Sequence, residues 1–519
     1  MNKAAFRGLF LAVLLVGAAA RLGRLDLRPM HHDEANQAVK FGTLLEKGEY
    51  RYDPADHHGP TLYYLTLPAA WARGQKTLSS LDETTLRLIP ALFGIGLLLL
   101  FLFLKRELGR PAVLLGALFA ALSPALTYYS RFYIQESLFV FFSIFFMTAV
   151  GKYAACPSAR WAAAAGVAAG LAFATKETSI FVFIAAAIGL AAGLLCRRPW
   201  KAGAVLCRPS LGHLVLAAAA AAATAFVFFS SFLKNPRGPL EALTAFTTYA
   251  SRGLGADVHA QPWFYYLKTL IWTKSDGIVW SEGIILGLAL VGIIAAFTRM
   301  KRRDESGFWP VYLVVSTLVL AFAYSAISYK TPWNLAVFQS GFAVLAGIGA
   351  SALVNAVRPR IGRAAVLLLI LIGAAQLGRQ NLSADFRYPA DPRNPYAYAQ
   401  TSPDFLRLVD RVRQLAAIHP HRKNMLIKVV AEADQQWPLP WSLRDFRRIG
   451  YWTRLVDAGE IEGVPIVIAS RRNAEIIERT AGDAFQIEYY GLRPGVLLTV
   501  FIDRELWNAF LERRSDIRS

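Results

Sequence analysis

The chain has 519 residues, of which 55% are hydrophobic and 18% are charged, and its formal net charge is +20. A soluble globular protein of this length carries more charge, and its apolar residues are not blocked into long runs as they are here. Most basic residues stand in short clusters between those runs, without a basic and aromatic face, so we exclude nucleic acid as a partner. Anionic membrane lipids account for the basic clusters, and we expect a polytopic integral membrane protein.

The apolar runs predict about eleven membrane-spanning helices, since about 20 residues of helix cross a hydrocarbon core about 30 Å thick. The first run follows Lys3 and Arg7 as in a signal peptide, but we expect it to remain as the first helix. The shorter segment Thr61–Ala72 is expected to lie in the membrane interface or to re-enter. The predicted spans are 5–22, 86–104, 112–129, 133–151, 161–175, 178–195, 211–233, 280–298, 308–327, 334–356 and 363–378.

Four basic clusters predict the orientation of these spans. The positive-inside rule places all four clusters, together with the N-terminus, in the cytoplasm. The first outer loop is then 23–85, a second is 234–279, and short outer turns fall near residues 130, 176 and 330. We expect the chain to lie in the cell membrane. The clusters are Lys105, Arg106 and Arg110; Arg197, Arg198, Lys201 and Arg208; Arg299, Lys301, Arg302 and Arg303; and Arg358, Arg360 and Arg363.

The composition changes after about residue 378, where charges become frequent and the apolar runs shorten. We therefore predict a transmembrane domain over 1–378 and a small α/β domain over 379–519, on the extracytoplasmic side. No Gly-rich phosphate loop or catalytic triad pattern occurs in this second domain. Its predicted strands are Leu426–Val430, Val464–Ala469 and Val496–Ile502, and its predicted amphipathic helices are Phe405–Ala416 and Ala474–Ala481.

The most informative polar segment is His31-His32-Asp33-Glu34-Ala35-Asn36, just beyond the first span. Two adjacent carboxylates at the membrane edge are costly unless they are solvated, paired or used. One interpretation makes a carboxylate the general base of sugar transfer from a phospholipid carrier, whose headgroup is wet at this depth. The alternative is a solvated loop whose acidic residues cap the next helix. We select Asp33 and Glu34 as catalytic candidates.

A third catalytic candidate is Glu136, near the start of a span that is otherwise almost purely apolar. An ionisable residue at such a position is a functional candidate by default, and Arg131 five positions earlier is its expected partner. A local Arg131–Glu136 ion pair at the surface is the alternative interpretation.

Cations at two other outer turns are candidates for holding a phosphate. Lys176 lies in Thr175-Lys176-Glu177-Thr178, and Lys330 precedes Thr331-Pro332-Trp333. A lysine binds phosphate as a point charge, although a turn between two spans is polar in any case. We add as further candidates for donor binding Arg131, His58, His259 and Tyr265, with membrane-interface residues as the alternative for the aromatics.

A divalent metal is an alternative component of the site. A ligand set can be drawn from histidines and a carboxylate of the first outer loop, but their spacing is not diagnostic of any metal. The metal ligands are therefore left unknown. The residues concerned are His31, His32, Asp33, His57 and His58.

Several of these motifs, in this order over about residues 1–356, resemble the GT-C glycosyltransferases. The resemblance is to the type that contains the dolichyl-phosphate-mannose protein mannosyltransferases and the aminoarabinose transferases. The motifs are Asp33-Glu34, Gly59-Pro60-Thr61-Leu62-Tyr63-Tyr64, Ser130-Arg131-Phe132 with Glu136, Gly170-Leu171-Ala172 with Thr175-Lys176-Glu177, Gln261-Pro262-Trp263 through Tyr266, and Lys330-Thr331-Pro332-Trp333.

The resemblance implies a GT-C-like membrane domain and roles for four residues. Asp33 matches the catalytic base of the family and Glu136 its second acidic residue, although Gln135-Glu136 departs from the usual small neighbours of that acid. Lys330 and Lys176 match contacts to the carrier phosphate. The tail resembles a prokaryotic subfamily described as flippase-activity-associated, through Trp437-Pro438-Leu439-Pro440-Trp441 and Arg444-Asp445.

We therefore predict a membrane glycosyltransferase that moves a sugar from a polyprenyl-phosphate-linked donor to an acceptor outside the cytoplasm. The acceptor, a protein, lipid or glycan, is not identified by any motif. The alternative is a non-catalytic carrier-binding or flippase-accessory protein, which would need the basic groups but not Asp33. A secondary transporter ranks last, because the ionisable residues lie at the outer edge and not at mid-membrane depth.

Overall fold

The computed structural model describes residues 1–54, 56, 58–196, 209–245, 259–301 and 307–516. His57 and the basic cluster from Arg197 to Arg208 lie outside these residues, as do Arg302 and Arg303. The orientation predicted from the four clusters accordingly stays a prediction.

The described residues up to position 382 form a helical bundle. Seven helical segments among the described residues are long and apolar enough to cross a membrane, with an eighth if the bent pair α5–α6 is one span. Shorter apolar helices lie at three other predicted spans. The helices are α1 (Lys3–Leu22), α2 (His32–Lys47), α3 (Thr61–Ala72), α4 (Glu83–Leu100), α5 (Arg110–Leu122), α6 (Pro124–Ser130), α7 (Glu136–Ala155), α8 (Ala159–Phe173), α9 (Ser179–Leu195), α10 (Leu211–Phe229), α11 (Tyr265–Ile271), α12 (Gly283–Lys301), α13 (Phe308–Ala326), α14 (Ala336–Ala356) and α15 (Arg360–Leu382).

A helix is present at every predicted span, which confirms the polytopic helical class. The predicted single span 112–129 is wrong in one respect, because it consists of two helices that meet at a bend of 61°. Ser123 ends α5 and caps α6 through its side chain, and Pro124 cannot donate to the preceding turn. The bend places the end of α6 beside the first outer loop, where the polar motifs collect.

Small residues allow the spans to pack closely. α12 and α14 cross where a Cβ atom on Gly349 would overlap the carbonyl oxygen of Leu288. Close approach of backbones replaces the hydrophobic effect as the source of helix association in lipid.

The first outer loop contains two helices of its own, α2 and α3. α3 has the bounds predicted for the short apolar segment, and it begins where the loop contacts the turn between α8 and α9. Gly59 N–H donates to the Thr175 carbonyl at 3.1 Å, and Thr61 N–H donates to the Ala174 carbonyl at 3.3 Å. The loop is thereby attached to a second outer turn that carries candidate residues.

The C-terminal domain is a five-stranded mixed sheet with the strand order β4-β3-β5-β7-β6. β3 pairs in parallel with β4 and β5, whereas β7 is antiparallel to β5 and β6. A separate short hairpin, β1–β2, precedes α12. The strands are β1 (Thr273–Ser275), β2 (Ile278–Trp280), β3 (Ile427–Val430), β4 (Ile449–Trp452), β5 (Ile466–Ser470), β6 (Phe485–Arg493) and β7 (Val496–Asp503), and the helices are α16 (Pro403–Ile418), α17 (Leu439–Ser442), α18 (Leu455–Ala458), α19 (Arg471–Ala481) and α20 (Arg504–Asp516).

The small α/β class predicted for the tail is confirmed, although two of its strands were not predicted. β3, β5 and β7 were predicted because they are mostly apolar, and they are largely buried. The edge strands β4 and β6 are only partly buried and carry mixed residues, so they lack that signal. The domain boundary at residue 378 stays a prediction, and α15 continues past it to Leu382.

Candidate active site

Buried arginines hold the chain where α1 leads into the first outer loop. Arg131 donates to the carbonyl oxygens of Ala20 at 2.8 Å, Gly23 at 2.6 Å and Arg24 at 3.1 Å. These carbonyls belong to the C-terminal end of a helix, where backbone acceptors have no partner within the helix. The expected Arg131–Glu136 pair does not form, because Arg131 faces this loop and lies 3.9 Å from Asp385.

Glu34 is completely enclosed by hydrogen-bond donors. Arg87 donates to its carboxylate through Nε at 2.7 Å and Nη2 at 2.8 Å, and the backbone N–H groups of Tyr133 and His31 donate at 2.8 and 3.0 Å. Burial raises the pKa of Glu34, but the charges of Arg87 and Arg28 and these hydrogen bonds outweigh it and lower the pKa to about 2. Glu34 is therefore an ionised anchor with no exposed surface.

Asp33 occupies the opposite environment in the first turn of α2. Its side chain is 30% exposed, whereas that of Glu34 is fully buried. Its backbone N–H donates to Nδ1 of His31 at 3.0 Å, which caps the helix. The positive end of the helix dipole stabilises the carboxylate at this position. Asp33 thus combines a fixed backbone with a carboxylate that reaches solvent.

His31 is a neutral capping residue. Its ring packs against Phe132 and Trp333, with centroids at 5.2 and 5.9 Å. Burial lowers the pKa of His31 to about 4, so its contact with Asp33 at 3.8 Å is not an ion pair at neutral pH. The ring therefore supports Asp33 without neutralising it.

Glu136 and Lys176 form a buried ion pair between the starts of two spans. Lys176 Nζ contacts Glu136 Oε1 and donates to Asn334 Oδ1 at 2.8 Å. Both charged side chains are 4% exposed. The pair brings α7 to the outer turn before α9, and Asn334 joins them to the turn before α14.

Lys330 and His259 meet on the same side. The backbone N–H of Lys330 donates to the His259 carbonyl at 3.1 Å, and Lys330 Nζ donates to the carbonyls of Gln261, at 3.0 Å, and Ile327. His259 Nδ1 lies 2.6 Å from the Tyr398 hydroxyl. Backbone carbonyls orient this cation without neutralising its charge, which leaves the charge available to an anion.

The predicted donor-binding residue His58 is paired with a carboxylate that was not selected from the sequence. His58 Nδ1 is 2.8 Å from Glu177 Oε2, and the Tyr52 hydroxyl donates to Glu177 Oε1 at 3.0 Å. Burial raises the pKa of Glu177, but the charge and hydrogen bond of His58 and the hydroxyl of Tyr52 lower it overall. The pair ties the first outer loop to the residue next to Lys176.

Aromatic rings connect the predicted residues into one neighbourhood. Trp333 contacts the His31 ring on one side and the Tyr398 ring, at 6.1 Å, on the other. Gln135 Nε2 donates to Gln37 Oε1 at 3.2 Å, which joins the residue before Glu136 to α2. The structure therefore brings together Asp33, Glu136, Lys176, Lys330, His58 and His259.

The other three predicted residues, Glu34, Arg131 and Tyr265, make different contacts. Arg131 directs its donors to the end of α1, and Glu34 directs its oxygens to Arg87. Tyr265 lies at the start of α11, where its ring contacts Tyr266 at 5.2 Å. A role of Arg131 and Tyr265 in donor binding stays a prediction.

A metal site is not formed by the described residues. Among them, no three His, Cys, Asp or Glu side chains lie close enough together to hold a metal ion. His57, one of the proposed ligands, lies outside the described residues. Metal dependence stays a prediction for that reason.

Arg87 and Glu282 are buried charged residues that the sequence analysis did not select. Glu282 accepts hydrogen bonds from the Ser123 hydroxyl at 2.5 Å, Gln339 Nε2 at 2.7 Å and the Tyr396 hydroxyl at 2.7 Å. It thus holds the bend between α5 and α6. Both residues fall inside predicted spans, and an ionisable residue within an apolar span is the signal that identifies them.

A cavity of about 510 Å³ opens between the first outer loop and the C-terminal domain. Leu27 and Pro29 line it from the loop, Tyr388 and Gln400 from the connecting segment, and Arg493 from the end of β6. The cavity therefore borders the segment that leads into α2.

Comparison with known proteins supports a glycosyltransferase fold. Residues 67–207 match the family model of the dolichyl-phosphate-mannose-protein mannosyltransferases. This match includes Glu136 and Lys176 but begins after Asp33. None of the curated proteins matches the chain in sequence.

Solved structures extend the similarity to almost the whole chain. ArnT from Cupriavidus metallidurans, in a crystal structure with bound undecaprenyl phosphate, is 15% identical, with a TM-score of 0.62 over 97% of this chain and 99% of ArnT. The oligosaccharyltransferase AglB from Archaeoglobus fulgidus, in complex with an inhibitory peptide and a dolichol-phosphate, is 13% identical, with a TM-score of 0.55 over 98% of this chain and 77% of AglB. The chain has the apolar helices of a multi-pass membrane protein, and its fold is similar to that of ArnT.

Proposed function

We propose that this protein transfers a sugar from a polyprenyl-phosphate-linked donor to an acceptor on the extracytoplasmic side of the membrane. The observation that carries the proposal is the difference between Asp33 and Glu34. The Glu34 carboxylate is buried in an ion pair with Arg87, whereas the Asp33 carboxylate lies in the first turn of α2 and is partly exposed to solvent. A partly exposed carboxylate on a fixed backbone is the arrangement that a general base requires.

In this reaction one bond forms and one bond breaks at the anomeric carbon of the donor sugar. The acceptor oxygen gives its proton to Asp33 and attacks the anomeric carbon of the donor sugar. The bond between that carbon and the phosphate oxygen breaks, and the polyprenyl phosphate leaves with the bonding electrons. Attack from the side opposite the leaving phosphate inverts the anomeric configuration.

Lys330 and Lys176 are the proposed partners of the phosphate. Lys330 is the stronger candidate, because its Nζ donates to neutral backbone carbonyls and not to a carboxylate. Lys176 shares its charge with Glu136, so it would contribute less to an added anion. Preorganised cations stabilise the charge that develops on a leaving phosphate. His58, His259, Arg131 and Tyr265 are assigned to the surroundings of the donor.

The acceptor is assigned to the side of the C-terminal domain. The cavity beside Pro29 and Gln400 borders the loop that carries Asp33, and the carrier's lipid tail must remain on the membrane side. Placement of this domain outside the cytoplasm rests on the basic clusters and belongs to the proposal.

The test compares wild-type protein with Asp33→Asn in transfer from radiolabelled polyprenyl-phosphate sugars. We expect the wild type to transfer sugar and the variant to bind the donor without transferring it. Glu34→Asp is the comparison variant, because it changes the neighbouring acid but retains a carboxylate that faces Arg87. Normal turnover by Asp33→Asn would overturn the assignment of the base. Specific carrier binding by wild type without transfer from any donor would favour the accessory function.

A further inference from the structure

Trp441 belongs to the C-terminal domain, yet its indole ring lies among residues of the first outer loop. The residue is 1% exposed and belongs to the same apolar cluster as Met30 and Leu86. Its indole Nε1–H donates to Glu83 Oε1 at 2.8 Å. A buried indole whose N–H is also satisfied is a strong and specific anchor between two domains.

Arg444 reinforces the same contact. Its guanidinium lies 3.7 Å from the centre of the Trp441 ring, and Nη1 donates to the Trp441 carbonyl at 2.9 Å. Nη2 donates to the Leu81 carbonyl at 2.7 Å. Two side chains of the C-terminal domain therefore hold the start of α4, where Leu81 and Glu83 lie.

The same domain also holds the chain just before Asp33. Gln400 Nε2 donates to the Pro29 carbonyl at 2.9 Å, and the Thr401 hydroxyl donates to the Met30 carbonyl at 2.7 Å. His32 Nδ1 lies 3.2 Å from the carbonyl oxygen of Asp434. The C-terminal domain is thus bonded to three of the residues that lead into the candidate base.

Glu83 and Arg87 stand four residues apart on α4, so their side chains share one face of the helix. Arg87 uses Nε and Nη2 on Glu34 and Nη1 on the Leu25 carbonyl at 2.7 Å. A second carboxylate on this face is a competitor for the Arg87 guanidinium. The indole N–H of Trp441 engages that competitor and directs it toward the C-terminal domain.

We propose that Trp441 is a positioning residue for Asp33, acting through Glu83 and Arg87. By binding the Glu83 carboxylate, Trp441 keeps Arg87 on Glu34 and so fixes the helix turn from which Asp33 projects. The inference rests on the proposed function in one respect, namely that Asp33 is the base. It makes the C-terminal domain a part of the catalytic frame.

The experiment is a double-mutant cycle of Trp441→Phe and Glu83→Gln in full-length protein. Phenylalanine keeps an apolar ring but removes the N–H, which releases the Glu83 carboxylate to compete for Arg87. We expect kcat to fall about tenfold to a hundredfold while the donor KM is unchanged, because a base displaced by about 1 Å loses that much rate. Glutamine cannot compete as an anion, so the double variant should recover most of the lost kcat.

Two controls separate this role from general stability. Glu83→Gln alone retains an acceptor for the indole N–H and should lower kcat by far less than Trp441→Phe does. Trp507→Phe removes an indole in α20 that packs within the C-terminal domain beside Phe510, and it should also keep the wild-type kcat. Loss of kcat in Trp441→Phe without recovery by Glu83→Gln would overturn the competition between carboxylates, and a wild-type kcat in Trp441→Phe would overturn the positioning role.

A readout that does not use activity is amide hydrogen exchange over residues 29–37. We expect faster exchange there in Trp441→Phe and a return toward the wild-type rate in the double variant. Equal exchange in all four proteins would overturn the inference. If wild-type protein transfers no sugar from any donor, the proposed function fails, whereas the exchange rates still decide whether Trp441 orders the turn that carries Asp33.

Discussion

The carboxylate of Glu34 and the guanidinium of Arg87 form a two-bond ion pair, at 2.7 and 2.8 Å, between α2 and α4. Neither side chain is more than 1% exposed. The pair fixes the first turn of α2 against a membrane span, and the residue before Glu34 is thereby presented to solvent. Adjacent acids of identical chemistry thus divide into a buried, ion-paired carboxylate and a partly exposed one.

This division predicts different consequences for two neighbouring substitutions. Glu34→Gln leaves the buried Arg87 without its counter-charge and should lower the free energy of unfolding by about 3–5 kcal/mol. Asp33→Asn changes a partly exposed side chain and should leave the thermal midpoint in detergent close to that of wild type while abolishing transfer. Equal thermal midpoints for the two variants would contradict the structural role of Glu34.

The buried ring of His31 predicts a pH dependence of stability. Its pKa is about 4 in the folded protein and about 6.5 when unfolded, so only the unfolded state binds a proton between these values. The free energy of unfolding should therefore fall as the pH is lowered from about 6.5 to about 4, by about 3 kcal/mol at most. His31→Asn keeps a capping side chain but does not titrate, so its thermal midpoint should depend less on pH in this window. Superimposable pH profiles of variant and wild type would show that His31 is not buried as a neutral ring.

The pair of Lys176 and Glu136 predicts a non-additive double-mutant cycle. Lys176→Met leaves a buried carboxylate uncompensated and should cost about 3–5 kcal/mol of stability. Adding Glu136→Gln should restore most of that loss, because no unpaired charge then remains. Thermal midpoints of the four proteins measure the coupling. Additive losses would show that the two residues do not depend on each other.

The donor KM of the same four proteins separates two roles of Lys176, namely its ion pair with Glu136 and a contact with the carrier phosphate. If its ammonium also contacts the carrier phosphate, the double variant should regain stability yet keep a raised donor KM. Recovery of both quantities would assign Lys176 to structure alone.

A substitution at Gly59 tests the contact between the first outer loop and the turn before α9. A Cβ atom there would overlap the carbonyl oxygen of Ala174, so Gly59→Ala must shift the loop. We expect the hydrogen bond between Gly59 and Thr175 to break, His58 to move from Glu177, and the donor KM to rise. Gly8→Ala, at a position in α1 with open space around it, is the matched control and should leave the KM unchanged without lowering the thermal midpoint, because alanine favours a helix more than glycine does.

The membrane architecture was predictable from the sequence because of the solvent. In hydrocarbon each backbone polar group must be satisfied inside its own segment, so a long apolar run has to become a helix. This argument was silent on the bend at Ser123, where a polar residue and a proline interrupt a run that is apolar on average. The buried strands β5 and β7 were located by a separate signal, namely short and mostly apolar runs.

The sequence identified the charged residues that are candidates for the site, but it did not show what each of them binds. Asp33, Lys176 and Lys330 stand out because a charge at a membrane boundary is costly unless it is used. Arg131 stands out for the same reason, yet its donors satisfy the end of α1. The free-energy cost of a charge at the membrane boundary does not distinguish a side chain that binds a substrate from one that binds the backbone.

The sequence by itself determined where the apolar helices lie along the chain, because their positions follow from the transfer of apolar segments into lipid. Only the tertiary structure decided that Glu34 belongs to Arg87, that Lys176 belongs to Glu136, and that Trp441 reaches Glu83 from a distant domain. Each of these pairings joins residues that are far apart in the chain. A hydrogen bond depends on distances and angles that exist only after the helices have packed. A local sequence pattern therefore does not predict these pairings.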